Sequence, residues 1–345
     1  MYSSVTVDPR TDPVWNTLVL DRDSDVFHSP AWLRAISQTY GFEVKARVVM
    51  GGNEPIAGLP YALVDGVGGR RVAVFPFSDY CDPIARSAAE CRALLPGVFE
   101  EKLPITVRCL HNRLLLADER FRLVNRARWH GVDLHDADPW ARIDSSARRA
   151  IRRSQRDNVS VSRAETLGEL RAFYDLHMSI RKHKYRLLAQ PYAFFENLWQ
   201  EFVDPGNGTL LLARVNGEVA AGVLFLEWKG TLYYKFNASD PRFSESRPND
   251  AIMWAGIEHG SELGHRRLDL GLSDWDQEGL IRYKRKYATE EKTISFLSCL
   301  PPGTSTPQPS RLAESMPRLT ELLTDERVPD ALTERAGEAL YRFFA

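Results

Sequence analysis

The chain has 345 residues, with 45 basic and 46 acidic side chains and a formal net charge of −1. Hydrophobic residues make up 43% and charged residues 26% of the sequence, which excludes collagenous, coiled-coil and wholly disordered chains. The length predicts two domains. The near-zero net charge excludes a protein whose whole surface binds nucleic acid, so any basic site is local.

The start of the chain lacks the basic segment and apolar run of a secretory signal, and no apolar run approaches the roughly 18 residues of a membrane helix. We therefore expect a cytoplasmic protein without a membrane span. The four cysteines form no CxxC pair and the eight histidines no HxxxH or HExxH pair, so neither a disulfide framework nor a metal site is expected. The GxSxG, GxGxxG and Walker motifs are also absent, which excludes the enzyme classes that depend on them.

Three apolar segments of the first half recur in the second half. Residues 46–48, 55–59 and 69–75 correspond to residues 213–215, 219–223 and 230–236. In the second copy, Asn216-Gly217 and Lys229-Gly230 separate the segments, as in hairpins whose turns need positive φ. The pattern predicts a duplicated α/β unit containing an antiparallel meander, although any two meanders share a strand-turn-strand pattern.

Turn and helix-start signals at residues 135–145 place the boundary between the two halves. We therefore expect a first domain at 1–141 and a second at 142–300. The string PPGTSTPQPS at 301–310 cannot form a helix or a central strand, so it is predicted to be a linker. Two amphipathic helices complete the segment 301–345.

A basic helix is predicted at the start of the second domain. Residues 142–186 contain 12 basic and 5 acidic side chains, and five arginines repeat on one helix face. These arginines are Arg148, Arg149, Arg152, Arg153 and Arg156. Such a face binds phosphates in a salt-dependent way, and more cations follow at 181–186 and 282–286. The alternative is a solvated face whose charges pair with acids elsewhere.

The remaining elements of the second domain alternate between helices and strands. Helices are predicted at 166–184 and 191–203, followed by the meander at 209–238 and a helix at 249–263. A strand at 266–272, a helix through 278–288 and a strand at 292–298 then complete the domain.

An acid, a polar loop and a lysine follow one another at the end of the predicted strand 266–272. Asp269 lies within the strand, Asp274 in the loop, and Lys284 on the next helix. Strand ends followed by polar loops are where sites gather in α/β sheets. Lys284 could stabilise an oxyanion or phosphate, and Asp269 or Asp274 could accept or orient a proton. An acidic loop before a basic helix could equally reflect helix electrostatics alone.

The order of elements resembles the GNAT acyltransferase fold, here present twice, and several strings resemble the FemABX family. These strings lie between about residues 26 and 298, at 27–32, 76–80, 146–156, 173–177, 248–254 and 279–284. The resemblance implies an α/β (α+β) fold of two tandem GNAT-like domains, each with a mostly antiparallel mixed sheet flanked by helices. It also implies transfer of an amino acid from aminoacyl-tRNA, with peptide bond formation.

The resemblance assigns Lys284 to the family's functional lysine, which stabilises charge at the transferring acyl group. Tyr283 replaces the usual phenylalanine before it. Only a short turn separates the two helices near residue 188, so the coiled-coil arm of some members is missing. The residues expected to contact the acceptor in the interdomain cleft are Asp79, Tyr80, Arg181, Tyr234, Arg247, Asn249 and Tyr283. For each aromatic residue among them, ordinary packing in the core is an equal alternative.

The donor is expected to be aminoacyl-tRNA, with no bound cofactor. Acetyl-CoA enzymes of the GNAT type hold pyrophosphate with a glycine-containing loop at a helix start. The corresponding segment 239–251 contains no glycine, so acyl-CoA is less expected. The expected phosphate contacts are the five arginines of the basic helix and Arg285.

The sequence thus predicts an acyltransferase that joins an aminoacyl group to an amine or hydroxyl of a small-molecule or cell-envelope precursor, such as a peptidoglycan precursor. One alternative is a GNAT N-acyltransferase that uses acyl-CoA or an acyl-carrier protein. Another is a non-catalytic RNA-binding protein on a GNAT scaffold, which would bind RNA in a salt-sensitive way and form no product.

Overall fold

The computed structural model describes residues 2–135, 138–304 and 311–345, so residues 305–310 of the predicted linker lie outside the described part. The chain forms two compact units. Unit 1 comprises Met1–Ala127, Thr293–Pro317 and Arg342–Ala345, and unit 2 comprises Arg128–Lys292 and Arg318–Tyr341. The first boundary between the units falls after Ala127, earlier than the expected boundary at 141/142. It lies within a strand that continues to Asp133.

Unit 1 is a sheet flanked by helices. Its sheet order is β1-β2-β3-β4-β5, with β4 and β5 parallel, and Ser295–Cys299 of the last strand pairs antiparallel with β5. The elements are β1 (Ser3–Val7), α1 (Pro13–Asp21), α2 (Pro30–Tyr40), β2 (Glu43–Gly51), β3 (Glu54–Gly66), β4 (Gly69–Val74), α3 (Ala88–Phe99), β5 (Ile105–Cys109) and β6 (Phe121–Asp133), which runs into unit 2.

Unit 2 repeats this arrangement with more helices. Its sheet order is β6-β11-β10-β9-β8-β7, with β10 and β11 parallel. The elements that follow β6 are α4 (Pro139–Arg142), α5 (Ser145–Arg156), β7 (Ser160–Arg163), α6 (Leu167–Ser179), α7 (Tyr192–Leu198), β8 (Gly208–Val215), β9 (Glu218–Trp228), β10 (Thr231–Ser239), α8 (Pro248–Glu262), β11 (Arg267–Asp274), α9 (Glu278–Arg285), β12 (Glu290–Cys299), α10 (Arg311–Leu323) and α11 (Asp330–Leu340). Of these, β12 passes into unit 1 at Thr293, and α10 passes back into unit 2 at Arg318.

The predicted fold class, with mostly antiparallel mixed sheets flanked by helices, is confirmed. Both hairpin turns of the second meander have the positive φ values that the sequence predicts, 51° and 84° at Asn216-Gly217 and 45° and 75° at Lys229-Gly230. The predicted helices 166–184 and 191–203 are also present, each ending in a π-helical turn. In unit 2, α5 and α8 pack on one face of the sheet, whereas Phe173 of α6 packs on the other.

Each unit has a glycine beneath an aromatic side chain, at corresponding positions of the repeat. A Cβ atom at Gly58 of β3 would lie 2.7 Å from Trp15 of α1. A Cβ atom at Gly222 of β9 would lie 2.5 Å from Phe173 of α6. Both distances are shorter than real Cβ contacts, so the helix can approach the sheet only because a side chain is missing there. This shared packing of a helix aromatic ring over a strand glycine supports the predicted duplication.

We expect Gly222→Ala to lower the free energy of unfolding by about 1–3 kcal/mol, because the added methyl group overpacks a well-filled core. Guanidinium unfolding measures the effect. The matched control is Gly168→Ala on α6, where a Cβ atom would have an ordinary contact of 3.8 Å with Thr166. It should change stability by less than about 1 kcal/mol. Equal effects of the two substitutions would contradict the packing explanation.

Candidate active site

The candidate site lies where β10 and β11 diverge. The two strands pair in parallel only where residues 231–233 meet residues 267–269, although β10 continues to Ser239 and β11 to Asp274. A bulge between Tyr234 and Phe236 interrupts β10 just past the last pair. Tyr234 packs against the core on the α8 side, whereas the Phe236 ring contacts aromatic residues of α7. Past residue 269, β11 therefore no longer pairs with β10.

Lys284 and Asp269 hold the backbone of β11 where this pairing ends. Lys284 of α9 is 5% exposed, and its Nζ donates to the carbonyl oxygens of Gly271 at 3.1 Å and Leu272 at 2.8 Å. The buried Asp269 carboxylate accepts the N–H of Gly271 at 2.6 Å. Gly271 has a φ of 69°, a left-handed conformation that glycine adopts without strain. Two of the three predicted catalytic residues thus form hydrogen bonds with the main chain of one glycine.

Asp274 is placed differently from Asp269. It lies exposed at the end of β11, where its backbone N–H donates to the Gln277 side chain at 3.1 Å. The Gln277 N–H donates in return to the Asp274 carbonyl at 3.0 Å. These bonds close the turn that leads into α9.

Tyr283 of α9 and Tyr287, two residues past the end of α9, both bind the first turn of α8. The Tyr283 hydroxyl donates to the carbonyl of Asn249 at 3.0 Å, and the Tyr287 hydroxyl donates to the Asp250 carboxylate at 2.6 Å. Burial raises the pKa values of both hydroxyls and of the Asp250 carboxyl. Tyr234 belongs to the same cluster, since burial raises its pKa and the Asp250 charge raises it further.

The structure therefore brings three predicted acceptor residues together, namely Tyr234, Asn249 and Tyr283. Sequence reasoning missed Tyr287 and Asp250. The four-residue spacing of Tyr283 and Tyr287 in the predicted helix 278–288 could have indicated Tyr287.

The two arginines that were predicted to contact the acceptor substrate form hydrogen bonds that shape the main chain. Arg247 has a φ of 60° and precedes α8, and its carbonyl accepts the N–H groups of Asp250 and Ala251 at 3.1 and 3.2 Å. The Arg181 guanidinium donates twice to the Leu188 carbonyl, at 3.0 and 2.9 Å, which closes the turn between α6 and α7.

Asp79 and Tyr80 belong to unit 1. The Tyr80 ring is 1% exposed and lies edge-on to Phe27 at 5.1 Å and His111 at 5.5 Å. Nearby, the buried Asp82 carboxylate accepts the backbone N–H groups of residues 110–112, and burial raises its pKa to about 6. Tyr80 therefore packs in the core of unit 1, next to a loop that Asp82 organises.

The basic helix α5 presents four exposed arginines, at positions 149, 152, 153 and 156. Arg148 is the exception, since its guanidinium donates to the carbonyls of Trp140, Ala141 and Ile143 at 3.1, 2.7 and 2.7 Å. Arg285 is also engaged, through two hydrogen bonds to Glu291 at 2.7 and 3.0 Å. Arg153 also pairs with Asp157, at 3.3 Å. The structure therefore leaves fewer guanidinium groups available for phosphates than the six that were predicted.

Cations of α6 and of the segment after it bind acidic residues of the C-terminal segment. Lys182 is 1% exposed and donates to Asp330 at 2.6 Å. Arg171 forms a bidentate pair with Glu334, and Arg186 pairs with Glu326 at 2.7 Å. Because acids of the same chain neutralise these residues, they do not extend the basic surface of α5.

Within residues 2–135, 138–304 and 311–345, the structure contains no group of three or more His, Cys, Asp or Glu side chains that could hold a metal ion. In the same described ranges, no helix has the length and apolar character needed to cross a membrane. The four cysteines are buried and free.

Comparisons with known proteins relate the chain to acyltransferases. Residues 141–285 match a family model described as an acetyltransferase (GNAT) domain. The structure of FemX is similar, with a TM-score of 0.66 and 14% identity over 84% of this chain and 96% of that one. No curated protein matches the sequence.

Two further structures share the fold over most of their lengths. L-PGS from Bacillus licheniformis has a TM-score of 0.56 and 13% identity, covering 93% of this chain and 97% of that one. A tandem GNAT protein from the clavulanic acid biosynthesis pathway has a TM-score of 0.57 and 12% identity, covering 88% and 100%. The predicted tandem GNAT fold is confirmed.

Proposed function

Because the chain is an acyltransferase with a GNAT domain and a FemX-like tandem fold, we propose that it transfers an aminoacyl group from aminoacyl-tRNA to an amine or hydroxyl of a small-molecule or cell-envelope precursor. The acceptor atom attacks the ester carbonyl carbon, a new amide or ester bond forms, and the bond to the ribose oxygen of the tRNA breaks. The proton lost by the acceptor balances the one gained by the ribose oxygen. The ester is already activated, so positioning and electrostatic stabilisation supply the catalysis.

The observation that carries the tRNA assignment is the position of the arginine row beside α9. The N–H of Asp144, which caps α5, donates to the carbonyl of Lys286 at 2.9 Å, just past the end of α9. The exposed arginines therefore begin next to the helix that carries Lys284. A polyanion bound along α5 has its phosphates close to the proposed site of transfer, and its affinity depends strongly on salt.

Lys284 supplies fixed positive charge in this reaction. Its ammonium is buried and held by two backbone carbonyls, so it needs no reorganisation when negative charge develops on the carbonyl oxygen of the donor. Asp269 acts as a positioning residue, because it fixes Gly271, which in turn accepts from Lys284.

The first turn of α8 argues against an acyl-CoA donor. A helix start binds pyrophosphate through free backbone N–H groups. Here Pro248 has no N–H, and the N–H groups of Arg247 and Asp250 donate to the carbonyls of Ser244 and Arg247. The Asp250 carboxyl also lies in this turn, where its charge would repel a pyrophosphate. Acyl-CoA therefore meets fewer free N–H groups and a less favourable charge here than a helix start usually provides.

Incubation with charged tRNA and a pool of candidate amines tests the proposal. We expect tRNA-dependent formation of an aminoacylated product, detected by mass spectrometry. Parallel reactions with acyl-CoA and acyl-carrier protein serve as controls. Product formed only with a thioester would overturn the tRNA assignment, and tight RNA binding without any product would instead support the non-catalytic alternative.

A further inference from the structure

A cleft in unit 2 lies at the opposite end of β11 from Lys284. Its volume is about 830 Å³, which is within the range of pockets that hold small molecules. Arg267 lines the cleft at the start of β11, whereas Lys284 binds the carbonyl of Gly271, further along the same strand. Because a strand rises by about 3.3 Å per residue, these two positions on β11 are about 13 Å apart. A group bound in the cleft is therefore separate from an acyl group at Lys284.

Thr231 of β10 and Arg267 of β11 lie side by side in this cleft. They are partners in the parallel pairing of the two strands, so their side chains lie on the same face of the sheet. The Arg267 guanidinium lies over the ring of the buried Trp129 at 5.6 Å and is 3.7 Å from the Glu290 carboxylate. These contacts hold the guanidinium in place beside Thr231.

Arg266 supplies a second guanidinium to the cleft. Its backbone N–H donates to the carbonyl of Gly230 at 2.8 Å, and its side chain donates to the carbonyl of Lys229 at 3.5 Å. The side chain is exposed and forms no ion pair within the part of the chain that the structure describes. Its positive charge is therefore available to a ligand.

The lining of the cleft keeps a net positive charge. A third guanidinium, that of Arg142, donates to the carbonyl of Asp133 at 2.8 Å. The two acids of the cleft are engaged by their neighbours, since Glu290 binds Lys292 at 2.5 Å and the Asp133 carboxylate accepts the N–H of His135 at 3.0 Å. The lining thus holds three guanidinium groups against two carboxylates.

We propose that this cleft binds a phosphate group, carried by a small molecule as a phosphomonoester or a pyrophosphate. Guanidinium groups donate pairs of hydrogen bonds to phosphate oxygens, and adjacent guanidiniums at Arg266 and Arg267 offer more donors than one carboxylate can accept. The Thr231 hydroxyl adds a further donor on the same face. Because the cleft lies away from Lys284, the inference does not depend on the acyl transfer proposed above.

Isothermal titration calorimetry at constant ionic strength tests the site, with inorganic phosphate and pyrophosphate as probes. We expect saturable binding of pyrophosphate, weakened by about tenfold or more in Arg266→Gln and in Arg267→Gln, because each substitution removes charge-assisted hydrogen bonds. Using both variants guards against a folding defect in one, since Arg267 also packs on Trp129. The matched control is Arg335→Gln on α11, which removes another exposed arginine and should leave the affinity unchanged.

Hydrogen exchange locates the bound anion. Pyrophosphate should slow amide exchange in residues 229–231 and 266–268 and leave that of α5 unchanged. A variant with glutamine at the four exposed arginines of α5 should keep the affinity of the wild type. Loss of binding in that variant, with full binding in Arg266→Gln, would place the anion on α5 and overturn the proposal. It would also be overturned by a lack of saturable binding, or by citrate binding more tightly than pyrophosphate, since the cleft would then prefer carboxylates.

Discussion

Replacing Lys284 with methionine should reduce the rate of acyl transfer by at least about a hundredfold, since loss of one preorganised donor at a developing oxyanion has effects of this size. Methionine keeps the length and apolar stem of lysine but removes the positive charge. Single-turnover transfer from charged tRNA measures the effect, because the chemical step is then separated from product release.

The same substitution leaves the carbonyls of Gly271 and Leu272 without their lysine donor. We therefore expect the free energy of unfolding to fall by about 1–3 kcal/mol, and rates must be measured well below the midpoint of thermal unfolding. Lys182→Met is the matched control, since Lys182 is equally buried and also bound to a backbone carbonyl, that of Val328. It should lower stability and leave the rate nearly unchanged. Full activity of Lys284→Met would remove this lysine from the mechanism.

Replacing the four exposed arginines of α5 with glutamine should raise the KM for aminoacyl-tRNA by about tenfold or more while leaving kcat nearly unchanged. These residues are Arg149, Arg152, Arg153 and Arg156. For each phosphate group that the variant no longer binds, the slope of log affinity against log salt should also fall by about one. Kinetics at several salt concentrations measure both effects.

A matched variant separates local binding from overall charge. Arg122, Arg126, Arg318 and Arg335 are exposed at other places, and their replacement by glutamine changes the net charge equally. This second variant should keep the wild-type KM and salt slope. If both variants weaken tRNA binding to the same extent, binding depends on the net charge of the protein and α5 is not the donor surface.

The local elements of the fold could be read from the sequence because their signals are local. Asn216-Gly217 and Lys229-Gly230 specify tight hairpins wherever they occur between apolar runs, and the structure contains both turns. The repeated segments similarly predicted two related units, each with its glycine beneath an aromatic ring. For the site, the order of strand, loop and helix placed Asp269 and Lys284 near one another, and both act on Gly271.

Which charged groups remain available for a ligand depended on partners distant in the chain. Arg285 was predicted to bind phosphate, but it pairs with Glu291. The cations at 181–186 looked like part of a basic surface, yet Lys182 binds Asp330 of the C-terminal helices, 148 positions away. A run of like charges shows where charge lies along the chain, whereas its neutralisation is set only by packing.

The sequence by itself determined the two meanders, the helices around them and the lysine at the end of a strand, since each depends on turn chemistry or periodicity over a few residues. The tertiary structure decided the pairing of Tyr287 with Asp250 and of His130 with Glu291. These buried pairs join strands and helices far apart in the chain. These pairs form because an unpaired polar group in the core is energetically costly. No local sequence pattern shows which distant residue will be its partner.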